Sequence, residues 1–232
     1  MTDILFYGDP HSKFQPLIDT VARKPPGAIV LLGDMEAHKP LDEELAPILD
    51  RGIPVHWIPG NHDTDQPGAH DNLFHSGLAD INAHGRVLEI CDIKIAGLGG
   101  VFRGKVWDPD NPNQGVWYFS GDEMVSTLPK HHLWRGGLPL RHRSSIFPSE
   151  YANLLGKQAD ILVTHEAPES HKYGSRAIGT LAGCLYAKHI VHGHHHFDYE
   201  DTLSGGIQVR GVGLRGLYRL NADQFKSNHG LS

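Results

Sequence analysis

The chain has 232 residues, 39% of them hydrophobic and 21% charged, which is enough apolar material for a substantial globular core. The formal charge of −6 excludes a general nucleic-acid binder, which would carry a basic stripe. No apolar run approaches the roughly 18 residues that would cross a bilayer. The first residues carry no basic stretch followed by an apolar one, so no secretory signal is visible and a cytoplasmic protein is expected. Two cysteines, Cys91 and Cys184, stand far apart and form no CxxC pair; they read as reduced, buried thiols. The composition is unusual in one respect, its 18 histidines.

In chain order, Ile4 to Tyr7 is a short apolar run expected to form a buried strand ending at Gly8-Asp9-Pro10-His11. Ser12-Lys13-Phe14-Gln15 has capping-box spacing and predicts a helix to about Lys24, where two prolines and a glycine stop it. Ala28 to Leu32 is a second strand, ending at Gly33-Asp34. Leu41 to Arg51 reads as a helix interrupted by Pro47. Val55 to Ile58 is a third strand, ending at Pro59-Gly60-Asn61-His62-Asp63. Strand–helix alternation of this kind implies parallel neighbours in an α/β layer. Ligands in such sheets gather at the carboxyl ends of the strands, so Asp9, His11, Asp34, Asn61 and His62 are expected on one edge.

Further on, Val87 to Ile90 and Ile93 to Leu98 predict two strands joined by a turn at Cys91-Asp92. Residues 101 to 148 are irregular and rich in Gly, Pro, Trp and Arg. They read as an insertion within one domain spanning 1–232, with short elements inside it. Ser149 to Gln158 predicts a helix and Asp160 to Val163 a strand that delivers His165. Gly179 to Lys188 predicts a helix leading into Ile190-Val191-His192-Gly193-His194-His195-His196. If that last segment is extended, His194 and His196 share one face and His195 points away. Strand-like residues from Ile207 to Leu220 close the chain.

The strand ends together supply Asp9, His11, Asp34, Asn61, His62, His165, His194 and His196. Carboxylate, imidazole and amide donors in this mixture suit Mn, Fe or Zn, and the absence of cysteine disfavours a structural zinc site. The donors are too many for one tetrahedral ion, and two ions with Asp34 between them are the natural solution. The ordered series Asp9-x-His11, Gly33-Asp34, Gly60-Asn61-His62-Asp63, His165 and Gly193-His194-x-His196 resembles the calcineurin-like metallophosphoesterases. The resemblance implies a two-sheet β-sandwich flanked by helices, a four-layer αββα fold. It implies two divalent ions, Mn²⁺ first, with Fe or Zn as alternatives. One ion would be held by Asp9, His11, Asp34 and His196, the other by Asp34, Asn61, His165 and His194. His62 would lie beside the phosphate, and the activity would be hydrolysis of a phosphodiester or phosphomonoester by a hydroxide bridging the metals.

The chain departs from the family pattern at Ala37, where an acidic residue is common. Asp63, Glu36 and His38 are then the candidates to orient His62, and Asp63 joins His62 as a candidate catalytic residue. The stretch Gly33 to Lys39 contains no arginine, unlike the serine/threonine protein phosphatases of the superfamily. This favours a small phosphorylated or nucleotide substrate over a phosphoprotein, with the protein phosphatase as the alternative and a non-catalytic scaffold as a more distant one. The basic stretch from Lys130 to Arg143 offers Arg135, Arg141 and Arg143 as substrate-charge partners and Trp134 as a stacking surface. Neither oligomeric state nor the natural substrate is readable.

Overall fold

The computed structural model describes residues 3–111 and 113–230. Strand β1 (Asp3–Tyr7) is followed by helix α1 (Gln15–Arg23) and strand β2 (Ala28–Leu31). Two one-turn helices, α2 (Leu41–Glu44) and α3 (Ala46–Leu49), lead to β3 (Val55–Trp57). Pro47 falls in the first turn of α3, where its missing N–H has no intrahelical partner to lose, so the expected single helix becomes two. The expected capping box before α1 does not form. Ser12 sits at φ +63°, and its hydroxyl donates instead to the Glu36 carbonyl at 2.6 Å. Ser12 thereby ties the first site loop to the second.

Helix α4 (Pro67–Phe74), β4 (Val87–Ile90) and β5 (Ile93–Leu98) come next, with the 4–5 turn placed where Cys91 and Asp92 predicted it. The insertion carries helix α5 (Gly121–Thr127) and a small core of its own, Val106, Met124 and Phe147. Then follow α6 (Pro148–Leu154), β6 (Ile161–Thr164), α7 (Arg176–Cys184) and β7 (His189–His192). Strands β8 (Tyr199–Thr202), β9 (Gln208–Gly211) and β10 (Leu217–Asn221) precede a last helix, α8 (Ala222–His229), which the sequence reading did not anticipate. The cysteines are free, but Cys91 is half-buried in its turn and Cys184 is exposed at the end of α7, so neither is the buried thiol expected.

The strands form two sheets, ordered β10-β1-β2-β3 and β4-β5-β6-β7-β9-β8. Neighbouring strands are parallel except at the edges, where β10 in the first sheet and both β4 and β8 in the second run antiparallel. Side-chain alternation along β1 shows the layering directly. Ile4 and Phe6 point into a core shared with Ile93, Ile95, Ile161, Val163 and Val191 of the other sheet. Leu5 and Tyr7 point the other way, onto Leu17 and Val21 of α1 and Leu41 and Ile48 of the short helices. The far face of the second sheet, Ala96, Leu162 and Ile190, packs on Leu154, Ile178 and Leu181. These are the four layers, helices–sheet–sheet–helices. With both faces covered, β1 and β2 read as unbroken apolar runs, as buried parallel strands should. No helix among the described residues is long and apolar enough to cross a membrane.

One consequence concerns stability. His189 at the start of β7 packs its ring against Phe225 and His229 of α8. Burial, then the neighbouring His229, depresses its pKa to about 4. The unfolded chain takes up this proton near the ordinary value of 6.5, while the folded chain resists it, so the stabilisation from His189 is lost as pH falls from about 6.5 towards 4. The Tm of His189→Gln relative to that of the parent protein should therefore rise between pH 7.5 and pH 5. A difference that stays constant across that range would show that His189 does not carry this pH dependence.

Candidate metal centre

All the site loops leave the carboxyl ends of parallel strands. Asp9 and His11 follow β1, Asp34 follows β2, Asn61 and His62 follow β3, His165 follows β6, and His194 and His196 follow β7. The backbone there is unusual. Asp9, His11, Asp34, Glu36, His194 and His196 all have φ between +41° and +74°, the left-handed region that side chains other than glycine seldom occupy. Such strain persists only where surrounding structure enforces it, and it concentrates at functional sites. It also corrects one expectation. Strand β7 ends at His192, so His194 and His196 are brought to the site by a left-handed turn and not by the pleat of an extended strand. Two glycines make the close approach possible: Gly33, at φ +98°, and Gly60 lie back to back, and a Cβ on either would collide with the other segment, with His165 and, from Gly60, with Asp34.

The side chains form two groups that share one carboxylate. Donor atoms of Asp9, His11, Asp34 and His196 lie within 4.8 Å of one another, as do those of Asp34, His165 and His194. In the first group, the Nε2 atoms of His11 and His196 face each other at 3.0 Å, with Asp34 Oδ2 4.0 Å from the former. Glu36 holds Nδ1 of His11 at 2.5 Å, which reserves Nε2 for a ligand. In the second, His165 Nδ1 donates to the Leu32 carbonyl at 2.8 Å. Its Nε2 then faces Asn61 Oδ1 at 3.1 Å and Asp34 Oδ2 at 3.4 Å. Asp9 accepts the backbone N–H of His194 with both oxygens at 3.0 Å, which locks the β7 turn to the β1 loop.

This donor set fits divalent ions. Asp34 Oδ1 accepts the His62 N–H at 2.8 Å, but Oδ2 is buried without a hydrogen-bond partner. A buried carboxylate oxygen that makes no hydrogen bond is costly, and this one faces imidazole nitrogens of both groups, His11 and His165. The electrostatics agree. Burial lifts the Asp9 carboxyl to about 6, aided by the Asp34 charge, even though His165, the His194 N–H and His11 oppose the rise. Burial would raise Asp34 too, but the His165 imidazole holds it well below the usual carboxylate range. Burial would depress His165, yet the Asp34 and Asp9 charges lift it to about 10. His194, driven down to about 3 mainly by burial, is kept as the neutral imidazole that metals bind.

His62 lies exposed at the rim, its ring 5.7 Å from that of His11. Its Nδ1 is held by Asp65 Oδ2 at 2.7 Å. Partial burial would lower its pKa, but the Asp65 hydrogen bond and the Asp34 charge raise it above the ordinary value. The hydrogen-bond partner of His62 is therefore Asp65 and not Asp63, Glu36 or His38. Asp63 is wholly buried and accepts the N–H groups of Gly60 and Glu36 at 2.8 and 2.9 Å, so it staples two site loops together. Burial, then the Asp34 charge, pushes its carboxyl up to about 7.

The insertion borders the site. Ser144 Oγ lies 2.6 Å from Thr64 Oγ1 and 3.5 Å from the Asn61 carbonyl. Arg135 forms a two-pronged ion pair with Asp71 of α4, at 2.7 and 2.9 Å. The guanidinium carbons of Arg135 and Arg143 lie 4.3 and 4.9 Å from the Trp134 ring centre. Trp134 is therefore engaged by the chain's own arginines and does not offer the free stacking surface expected of it. Arg141 is exposed. Two residues beside the site escaped the sequence reading: Asp65 and Glu166. Glu166 is nearly buried, with a donor atom within 4.8 Å of His194 and His195, and accepts the Phe102 N–H at 3.1 Å. Burial raises its carboxyl to about 7. Its position directly after His165 was the available signal. His192, by contrast, is buried behind the site, its Nε2 hydrogen-bonded to Tyr199 at 2.8 Å.

Comparison with known proteins agrees with this arrangement. The profile of the calcineurin-like phosphoesterase family matches residues 2–198. A Haemophilus influenzae protein described as uncharacterized is 38% identical over 214 residues, covering 92% of each chain. Among solved structures, one from Thermus thermophilus superposes with a TM-score of 0.59 at 15% identity, covering 95% of this chain and 98% of its own. A dimetal phosphatase from Danio rerio gives a TM-score of 0.57 at 13% identity, covering 93% and 88%. At such identities these structures show a shared fold.

Proposed function

Because the chain belongs to the calcineurin-like phosphoesterase family, we propose that it is a two-metal phosphoesterase acting on a small phosphorylated or nucleotide-type substrate. The observation that carries this reading is the single buried carboxylate, Asp34, shared by two groups of imidazole and carboxylate donors with His62 at their rim. Asp9, His11, Asp34 and His196 would hold one ion, and Asp34, Asn61, His165 and His194 the other. Mn²⁺ is the first choice for this nitrogen and oxygen set, with Fe and Zn as alternatives. Ions held by these residues would supply Lewis-acid polarisation of a phosphoryl group and a lowered pKa for a water nucleophile.

The chain's own groups do the rest. With Nδ1 of His62 held by Asp65, Nε2 is the ring nitrogen left to face a substrate. As the bond from phosphorus to the leaving oxygen breaks, His62 gives that oxygen a proton. The insertion is pinned to the His62 loop through Thr64 and Ser144, and on this reading it admits a small ester in preference to a folded phosphoprotein.

The test strips the protein with chelator and assays an aryl phosphomonoester and an aryl phosphodiester, with and without Mn²⁺. Manganese-dependent turnover is expected. Metal uptake with turnover confined to a phosphopeptide would move the reading to a protein phosphatase. A protein that takes up no metal and turns over nothing would be a scaffold.

A further inference from the structure

The peptide unit between Gly193 and His194 joins the two donor groups. Its N–H is held by both oxygens of Asp9, a member of the first group, at 3.0 Å. The His194 side chain that springs from it belongs to the second. The turn that sets this peptide is strained. His194 has φ +74°, and the Gly193 carbonyl accepts the His195 N–H at 3.0 Å. A bond to the second residue on, across a residue of positive φ, is the rare and strained form of γ-turn, and it persists only where its surroundings hold it.

His192, at the end of β7, does the holding. Its ring is 1% exposed and lies behind the turn. Nδ1 stands 2.9 Å from the same Gly193 carbonyl. A carbonyl oxygen only accepts, so Nδ1 carries the hydrogen. Burial keeps the ring neutral, which leaves Nε2 as an acceptor. It takes the Tyr199 hydroxyl at 2.8 Å. With its own hydrogen committed there, the Tyr199 oxygen receives that of Ser170, whose Oγ is 3.3 Å away. Every member of this chain donates in the same direction, from Ser170 towards Gly193, and each bond polarises the next. The place of Tyr199 is built into the sheet. It pairs with Gly211 across β8 and β9, and a Cβ on Gly211 would run into the tyrosine ring.

We propose that His192, kept in its Nδ1–H tautomer by Tyr199, is a positioning residue for both halves of the metal centre: by clamping the Gly193–His194 peptide it aims His194 in one donor group and, through the peptide N–H, Asp9 in the other. The inference rests on the two-metal reading above and adds to it a residue that is itself no ligand. Partners behind a ligand fix its orientation, and their loss weakens metal binding without removing a donor atom.

The experiment titrates Mn²⁺ by calorimetry into the chelator-stripped full chain and its His192→Asn, His192→Gln and Tyr199→Phe variants. Asparagine carries an amide N–H where Nδ1 stands and can still donate to Gly193. Glutamine carries its amide near Nε2, where it meets Tyr199 and leaves the Gly193 carbonyl unclamped. A role confined to packing ranks glutamine above asparagine, because it leaves the smaller void. Positioning ranks them the other way. His192→Gln should weaken both ions by about 10–100-fold, and His192→Asn should recover most of that affinity. Tyr199→Phe, which strips Nε2 of its partner and frees the tautomer, should fall between them. Glutamine equal to or better than asparagine would overturn the proposal, as would a loss confined to one ion. Hydrogen exchange at the His194 amide is a second readout that needs no metal: it should be faster in His192→Gln than in His192→Asn, and equal rates overturn the clamp. Should His192→Gln not fold, Tyr199→Phe carries both measurements, and values unchanged from the parent protein overturn the proposal. If the parent protein takes up no Mn²⁺, the two-metal reading fails on its own, while amide exchange still decides whether His192 holds the turn.

Discussion

Asp34→Asn is expected to lose both divalent ions and to reduce phosphoesterase turnover to background, while remaining folded. Asparagine is the informative replacement because the position has φ +52°, which Asn tolerates and Ala does not. It also keeps an oxygen to accept the His62 N–H, so the β3 loop retains its anchor. The change removes the negative charge from the one oxygen, Oδ2, that faces imidazoles of both donor groups and makes no hydrogen bond. Metal content after dialysis separates the roles. Asp9→Asn and His165→Ala each touch one group and should each cost chiefly one ion, whereas Asp34→Asn costs both. Retention of one tightly bound ion by Asp34→Asn would mean that the carboxylate is not shared, and the two-ion assignment would fall with it.

Most of this candidate centre was legible because its clustered residues sit at strand ends, and strand ends are the easiest feature of an α/β chain to read. The apolar runs Ile4 to Tyr7 and Ala28 to Leu31 stop abruptly at glycine and carboxylate, and parallel alternation then forces those stops onto one edge. What periodicity could not supply is the path of the backbone beyond the strands. His194 and His196 meet the site through left-handed residues, a conformation that leaves no periodic trace in sequence. The partner of His62 was missed for a related reason. Asp63 is adjacent to His62, but the chain makes a tight 3₁₀ turn from His62 to Thr64, which carries Asp63 inward and returns Asp65 beside the imidazole. The contacts of the irregular segment were hidden because its partners lie some forty residues away in the chain, as Arg103 meets Ser144 and Ser145. For the same reason, the basic run from Lys130 to Arg143 looked like one surface. The fold instead sends Arg135 to Asp71 of α4 and leaves Arg141 exposed.

His62→Ala should keep the metals and lower turnover by roughly 10²–10⁴, the range for one acid–base or electrostatic group. His62 contributes only its backbone N–H to the metal centre, through Asp34 Oδ1, and that bond survives truncation of the side chain. The three carboxylates around it can be told apart. Asp65→Asn removes the charge that holds Nδ1 and should cost about 10–100-fold in turnover with unchanged metal content, as loss of an orienting partner does. Asp63→Asn acts elsewhere. Its carboxylate receives the Gly60 and Glu36 N–H groups inside the protein, so replacement should lower Tm and weaken metal binding before it affects His62. Glu36→Gln should weaken the first ion through His11, whose Nδ1 it fixes. Paired measurements of metal content and kcat on these variants give different patterns for an acid, its orienting group and a structural staple. If His62→Ala lost metal to the extent that Asp34→Asn does, the imidazole would be a ligand and the proton donor would have to be sought elsewhere on the rim. If Asp63→Asn lost turnover with its Tm and metals intact, Asp63 would return as the catalytic partner and Asp65 would be a bystander of the 3₁₀ turn.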